Sequence, residues 1–179
     1  MINFPSVQNR IQEEIDRVVG RDEMPSMANS RNMPYTEAVI SEIHRHTTIT
    51  YNGVNHAPMV DTTFAGYDFL RTDMIATCLY DIHHDPRNFR EPHLFDPLRF
   101  IDQDSGKFVP HEALVPYGLG KRKCLGISMA KTEVFLFTVY LLQQFNFLPP
   151  AAGTPALDDV SYSLTRCPNP FKIRVVPRA

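Results

Sequence analysis

The run Tyr117-Gly118-Leu119-Gly120-Lys121-Arg122-Lys123-Cys124-Leu125-Gly126 sets one cysteine among three cations, just ahead of a long apolar stretch. Fixed positive charge and the unpaired N–H groups of a helix start both favour an anion, so this sulfur is a candidate thiolate. A thiolate attacks carbon, exchanges with disulfides or holds a metal. The glycines bear on the choice. Gly120 permits a tight turn before the sulfur, and Gly126 has no side chain, so something large and flat can lie close to the backbone there. A cofactor suits such a surface better than a small substrate. A cysteine near lysines before a helix is also, commonly, an ordinary loop residue.

Three chemistries compete at this point. Nucleophilic catalysis requires a histidine base delivered from elsewhere, and the seven histidines of the chain leave that open. A zinc site requires several Cys or His at ligand spacing, whereas Cys78 and Cys167 stand isolated. A single thiolate ligand requires a metal whose other positions are already filled, and haem iron is that case.

The run resembles the haem-binding signature of the cytochrome P450 family, F-x-x-G-x-R-x-C-x-G, at every fixed position but the first, where Tyr117 replaces the usual Phe. The aromatic ring is kept, but its hydroxyl needs a partner if buried, with consequences for the hydrogen bonds at the sulfur and the iron potential. Pro116, Ala130 and Glu133 also agree with what surrounds this signature. Further landmarks follow the family's order. Glu42-Ile43-His44-Arg45 resembles the E-x-x-R helix, His83-His84-Asp85-Pro86 a strand-to-loop landmark, and Phe95-Asp96-Pro97-Leu98-Arg99-Phe100 the P-E-R-F segment, with Leu98 where the family has Glu. On a helix Glu42 and Arg45 share a face and can pair, turning the guanidinium fork towards Arg99 and nearby carbonyls. Without the cysteine motif such a pair reads as a solvated salt bridge; with it, as a structural triad of Glu42, Arg45 and Arg99 under a haem pocket.

The resemblance implies a haem group, iron protoporphyrin IX, with Cys124 as its axial thiolate. It implies Arg122 and His56 as propionate partners, and Pro116, Tyr117, Gly118, Leu125, Gly126 and Ala130 as further haem contacts. Taken alone, Arg122 is a surface cation and His56 a loop residue. Lys121 and Lys123 are expected to stay exposed on a basic surface that steers an acidic electron donor, although ordinary solvated lysines read the same way. Ile49, Thr50 and Val54, with Leu164 and Thr165 near a terminal hairpin, are the implied substrate contacts. Core packing explains them equally well.

Composition sets bounds without identifying the chain. Its 179 residues are 43% hydrophobic, with 15 Pro and a formal net charge of -2. That length buries one core, and the near-neutral charge argues against a nucleic-acid partner. Three cysteines without a pairing pattern suggest a reducing compartment. No signal peptide is read at Met1, and the apolar stretch from Val134 to Leu142 is too short to span a bilayer.

The pattern along the chain predicts an α+β fold, mainly helical. Phe4 to Val19 reads as an amphipathic helix with Val7, Ile11, Ile15 and Val18 inward, Gln12, Glu13, Glu14, Asp16 and Arg17 largely opposite, and Gly20 as its stop. A second helix is expected over Met33 to Thr47 with Pro34 at its start. Tyr51 to Thr77 predicts short strands, among them Thr62 to Phe64 and Met74 to Thr77, with a turn at Asn52-Gly53 and a helix over Cys78 to His84. Arg87 to Glu112 is expected to be an extended meander without regular structure, a length that usually signals function or a partner surface. Leu125 to Phe145 predicts a deeply buried helix, and Phe171 to Val176 alternates like a strand at the end of a Pro-rich tail.

By resemblance, residues 1–179 are the C-terminal portion of a single cytochrome P450 domain of the animal microsomal type. The N-terminal anchor, the distal helices and the oxygen-activating helix are expected to be absent. The implied parent reaction inserts one oxygen atom of O2 into an apolar small molecule. Electrons come from NADPH through the diflavin NADPH-cytochrome P450 reductase, at the cytosolic face of the endoplasmic reticulum membrane. The alternatives are an inactive truncated product with weak haem binding at most, and a thiol or zinc enzyme built on Cys124.

Overall fold

Helix α1 (Pro5–Val18) begins on a proline, whose missing N–H costs nothing in a first turn. It stops where Gly20 adopts φ +83 and donates its amide to Ile15. Val7, Ile11 and Ile15 are buried as the stripe predicts, but so are Gln12 and Glu14, which sequence reading places on the outer face. The correction has a physical cause: both head groups find partners inside. Gln12 Nε2 donates to the carbonyls of Leu142 at 3.2 Å and Phe145 at 3.1 Å, and to Asn146 Oδ1 at 3.0 Å. Glu14 accepts from the amides of Tyr35 at 3.1 Å and Thr36 at 2.8 Å, the first free donors of the next helix.

The computed structural model describes residues 1–151 and 153–178. After a 3₁₀ turn at Met27–Asn32, helix α2 (Pro34–Thr47) runs with its first turn capped by Glu14. It ends at Thr48, whose φ of 38 is a left-handed conformation that β-branched residues rarely adopt. Helix α3 (Leu79–His84) is short, and helix α4 (Ile127–Gln144) is the longest. One core forms where α1, α2 and α4 meet: Ile11, Ile15, Met33, Val39, Phe135, Val139 and Leu142. A second, smaller cluster of Ala38, Phe89 and Phe100 fixes α2 to the meander.

Deep burial of α4 is not what the structure shows. Phe135, Val139, Leu142 and Gln143 are buried, whereas Phe137 is 64% exposed and Tyr140 and Leu141 are also open. One face meets the core, and no described residue covers the opposite apolar face.

Among the described residues there are three two-stranded antiparallel sheets. β1 (Thr62–Phe64) pairs with β2 (Tyr67–Phe69) across an Ala65-Gly66 turn with both φ angles positive, the geometry that matches strand twist. β3 (Phe145–Leu148) continues from α4 and pairs with β6 (Arg174–Pro177), Phe147 opposite Val175. β4 (Val160–Tyr162) pairs with β5 (Arg166–Pro168) as the terminal hairpin. Two strand expectations shrink. Met74 to Thr77 keeps only the isolated bridge of Ile75 to His56, and the last strand starts at Arg174 rather than Phe171. The meander is not wholly irregular either, because Asp96 Oδ1 accepts the Leu98 amide and starts a 3₁₀ turn over Pro97–Phe100.

Candidate functional site

Cys124 lies on a loop between Val115 and α4, two residues before Gly126, which caps that helix. Its amide donates to the Tyr117 carbonyl at 2.8 Å and closes the loop, while Gly118 donates to Val115 at 3.0 Å. Gly118 and Gly120 take φ of 71 and 68, so the turns before the sulfur use conformations natural to glycine. Every residue from Leu119 to Gly126 is exposed. Cys78 and Cys167 are exposed and free as well, so exposure alone does not distinguish Cys124; its cationic loop and helix start do.

Gly126 supplies the test of whether a large flat group fits here. Its φ of -84 is open to any residue. A Cβ built on it meets only the Cys124 sulfur, at 3.9 Å, an ordinary contact. Among the described residues none would clash with a side chain at Gly126, and the space beside the sulfur is free. With Leu125 fully exposed on one side and Lys121, Arg122 and Lys123 exposed on the other, the surface is open, part apolar and part cationic, and carries one soft donor. Those features fit a haem held by a single thiolate. Among the described residues no three His, Cys, Asp or Glu side chains gather at metal-binding distance, so the donors for a multi-ligand site are not assembled.

Pro116, Tyr117 and Gly118 form the root of the loop, and Ala130 sits one turn into α4 with its amide on the Gly126 carbonyl. Tyr117 is half-buried, and its hydroxyl lies 3.2 Å from His44 Nε2, with the two rings edge to face. Burial and the nearby Cys124 push the Tyr117 hydroxyl up, while burial and Lys131 push His44 down. Both shifts favour the neutral forms, so the bond joins a phenol to an uncharged imidazole. Both residues line a cleft of about 540 Å³ with Leu114, Lys123, Lys131 and Phe135. Cys124 is not among its walls, so the sulfur does not open into that cleft.

Arg122 and His56 are exposed, and neither side chain makes a hydrogen bond or ion pair among the described residues. His56 is held only by backbone exchange with Ile75, at 2.9 and 2.7 Å. The other candidate substrate positions converge in part. Arg166 donates its amide to the Ile49 carbonyl at 2.7 Å, and its guanidinium caps the end of α2 at Thr47 at 2.9 Å. Tyr51 Oη donates to Ser163 at 3.1 Å. These bonds bring Ile49 and Thr50 against the turn carrying Leu164 and Thr165. Val54, 67% exposed beyond the Gly53 turn, has no such link.

Glu42, Arg45 and Arg99 are brought together. Arg45 and Glu42 are fully buried and joined by two bonds, Nε to Oε2 at 2.7 Å and Nη2 to Oε1 at 2.8 Å. The remaining Arg45 donors reach the carbonyls of His83, Pro92 and Leu94 between 2.8 and 3.0 Å. Arg99 adds a longer contact of 3.3 Å to Glu42 and holds Arg90 and Leu94 carbonyls. The exposed Leu98 takes no part, consistent with Arg99 carrying the interaction of its segment. Sequence reading names His83 only within a strand-to-loop landmark, whereas the structure places it at the end of helix α3, and it does not single out Thr48. His83 is fully buried, with Nε2 accepting the Val115 amide at 3.0 Å and Nδ1 facing Thr48 Oγ1 at 2.9 Å.

The sequence profile described as Cytochrome P450 matches residues 1–175. The chain is 38% identical over 174 residues to cytochrome P450 2U1 of Bos taurus, covering 97% of this chain and 32% of that protein. It is 39% identical over 178 residues to cytochrome P450 2D15 of Canis lupus familiaris, covering 99% and 35%. With human cytochrome P450 2J2 it shares 43% over 150 residues, covering 84% and 30%. The chain thus spans about a third of the length of these relatives. With a profile match over nearly its whole length and the signature loop folded ahead of α4, the chain belongs to the cytochrome P450 family.

Proposed function

We propose that this chain carries the haem-ligating part of a haem-thiolate monooxygenase that puts one atom of O2 into an apolar small molecule. The observation that carries the reading is the open space beside Cys124 at Gly126, where an added Cβ would meet only the sulfur. Cys124 would hold the haem iron through its thiolate. Arg122 and His56, whose side chains have no partner among the described residues, would hold the two propionates by charge-assisted bonds. Pro116, Tyr117, Gly118, Leu125, Gly126 and Ala130 form the wall next to the thiolate. Bound haem supplies the oxygen chemistry, and a thiolate ligand pushes electron density that favours O–O cleavage.

The protein's own part is position and field. Glu42, Arg45 and Arg99 brace the meander against α2, so that the loop rests on a fixed base. Ile49, Thr50, Val54, Leu164 and Thr165 supply the substrate contacts of this chain. Lys121 and Lys123, exposed beside the loop, steer an acidic electron donor, for which the NADPH-cytochrome P450 reductase is the partner proposed. The proposed setting is the cytosolic face of the endoplasmic reticulum membrane. No described helix is long and apolar enough to cross a membrane.

The test is to express the chain with haem, reduce it, add carbon monoxide and record the Soret band. A strongly red-shifted band that disappears in Cys124→Ser supports the reading. A second reading has its own support: Leu125, Met129 and Phe137 are each more than 60% exposed, an uncovered apolar surface expected to aggregate or demand a partner. An inert fragment on that account takes up no haem in the same experiment.

A further inference from the structure

The loop that carries Cys124 has no side-chain anchor near its tip. From Leu119 to Gly126 no side chain makes a hydrogen bond or ion pair among the described residues, and all are exposed. Position at the sulfur must therefore come from the loop's root. Two histidines outside the signature hold that root. His83 Nε2 accepts the Val115 amide, which requires a bare Nε2 and places the ring proton on Nδ1. That proton goes to Thr48 Oγ1, whose own hydrogen is donated to the Arg45 carbonyl at 2.7 Å. The His83 carbonyl in turn accepts Arg45 Nη1 at 3.0 Å, so His83, through its carbonyl and its ring, bridges the buried Glu42–Arg45 pair to the start of the loop. His44, next to Arg45 on α2, grips the second point through the Tyr117 hydroxyl. The Tyr117 carbonyl receives the Cys124 amide directly.

We propose that His83 and His44 are positioning residues for Cys124, fixing its loop at Val115 and at Tyr117 from the rigid base of α2. The consequence for a bound haem rests on the reading given under Proposed function; the grip itself does not.

The experiment is hydrogen exchange on the full chain, resolved to the peptide spanning residues 115–126, with the amides of α1 as the internal reference. His44→Leu and Tyr117→Phe each remove one grip at a half-buried site. They are expected to speed exchange of the Cys124 amide about tenfold, the scale of one lost hydrogen bond, while α1 is unchanged. His83→Phe should do the same at Val115 and Cys124, and His83→Gln, whose amide oxygen can accept from Val115, should restore protection. Should His83→Phe fail to fold, His44→Leu, Tyr117→Phe and His83→Gln still decide. Unchanged exchange in His44→Leu and Tyr117→Phe, or exchange that rises equally in α1, overturns the proposal. A wild-type chain that takes no haem defeats the haem reading and leaves this result standing. If haem does bind, the grip predicts a shifted reduction potential in His44→Leu beside an intact red-shifted carbon monoxide band.

Discussion

Arg45 meets Glu42 one turn away on α2 through two bonds of 2.7 and 2.8 Å, and neither side chain has any exposed surface. A pair so placed survives only because every donor is used: three carbonyls take the remaining guanidinium hydrogens, and Glu42 also accepts the Asp96 amide at 2.8 Å. Arg45→Ala therefore strands a buried carboxylate and is expected to destabilise by about 3–5 kcal/mol. Arg99 is 12% exposed with a longer contact, and Arg99→Ala is expected to cost roughly 1 kcal/mol. Urea midpoints of the two variants check the ranking; equal losses would show that the pair is not the keystone.

His83 gives the fold a dependence on acid. Burial, with help from the nearby His84, Arg45 and His44, lowers its pKa from 6.5 to about 4. In the unfolded chain the imidazole takes a proton near 6.5, while the folded site refuses it until about 4. Unfolded protein then binds more protons across that window, so stability falls as pH drops from about 6.5 to about 4 and levels off below. The loss from this group is on the order of 3 kcal/mol. His44, His46 and His84, all pushed down by burial, add to it, and Glu37, pushed up by burial, opposes it. His83→Gln keeps an acceptor for Val115 without a titrating ring. Thermal melts of both proteins between pH 7 and pH 4, on the scale of roughly one curve per half pH unit, should show a visibly flatter profile for the variant.

Much of the fold is legible in the sequence, and most of what is not shares a cause. The helices α1 and α2 follow from apolar spacing and from Pro5 and Pro34 at their starts, and the pairing of Glu42 with Arg45 follows from their helical spacing. What periodicity cannot show is where a polar group finds a partner. Gln12 and Glu14 look like surface residues because the carbonyls and amides that receive them belong to segments distant in the chain. The bonding role of His83, a residue the landmark does name, is hidden for the same reason: its partners, Thr48 and Val115, lie 35 and 32 residues away. The error on α4 is of another kind. Apolar residues all round a helix predict burial, but a chain can bury only what it has surface to cover.

Gly53 is fixed by space as well as by backbone. Its φ is +64, and an added Cβ would lie 2.4 Å from Thr77 Oγ1 and 3.1 Å from the Thr77 carbonyl. Gly53→Ala is expected to cost about 1–3 kcal/mol through that clash, displacing the His56–Ile75 bridge that follows. A drop in melting temperature beside a control at Gly66, where nothing lies within 4 Å, separates crowding from backbone strain.

Gly126 makes the opposite prediction. Its φ and surroundings tolerate a Cβ, so Gly126→Ala should cost the haem-free chain only the difference between a glycine and an alanine helix cap, about 0.5–1 kcal/mol. Haem uptake is where the change should appear, weakened roughly tenfold or more by crowding next to the thiolate. Titration of the variant with haem, followed by the Soret band, checks this; unaltered uptake would mean that the space beside the sulfur serves something other than a flat cofactor.

Glu14 carries the most direct test of how α1 organises the helix that bears Glu42 and Arg45. Its carboxylate accepts both Tyr35 and Thr36 amides and the Thr36 hydroxyl, three donors that no residue of α2 itself can satisfy at an N-terminus. Negative charge there is further favoured by the helix dipole. In Glu14→Ala the two amides remain buried without acceptors, and the expected loss is about 2 kcal/mol. Glu14→Gln retains one acceptor oxygen but surrenders the charge, so its cost should be about half as large. If both variants were as stable as the parent, the start of α2 would have to be satisfied by water, and the burial of Glu14 would lose its explanation.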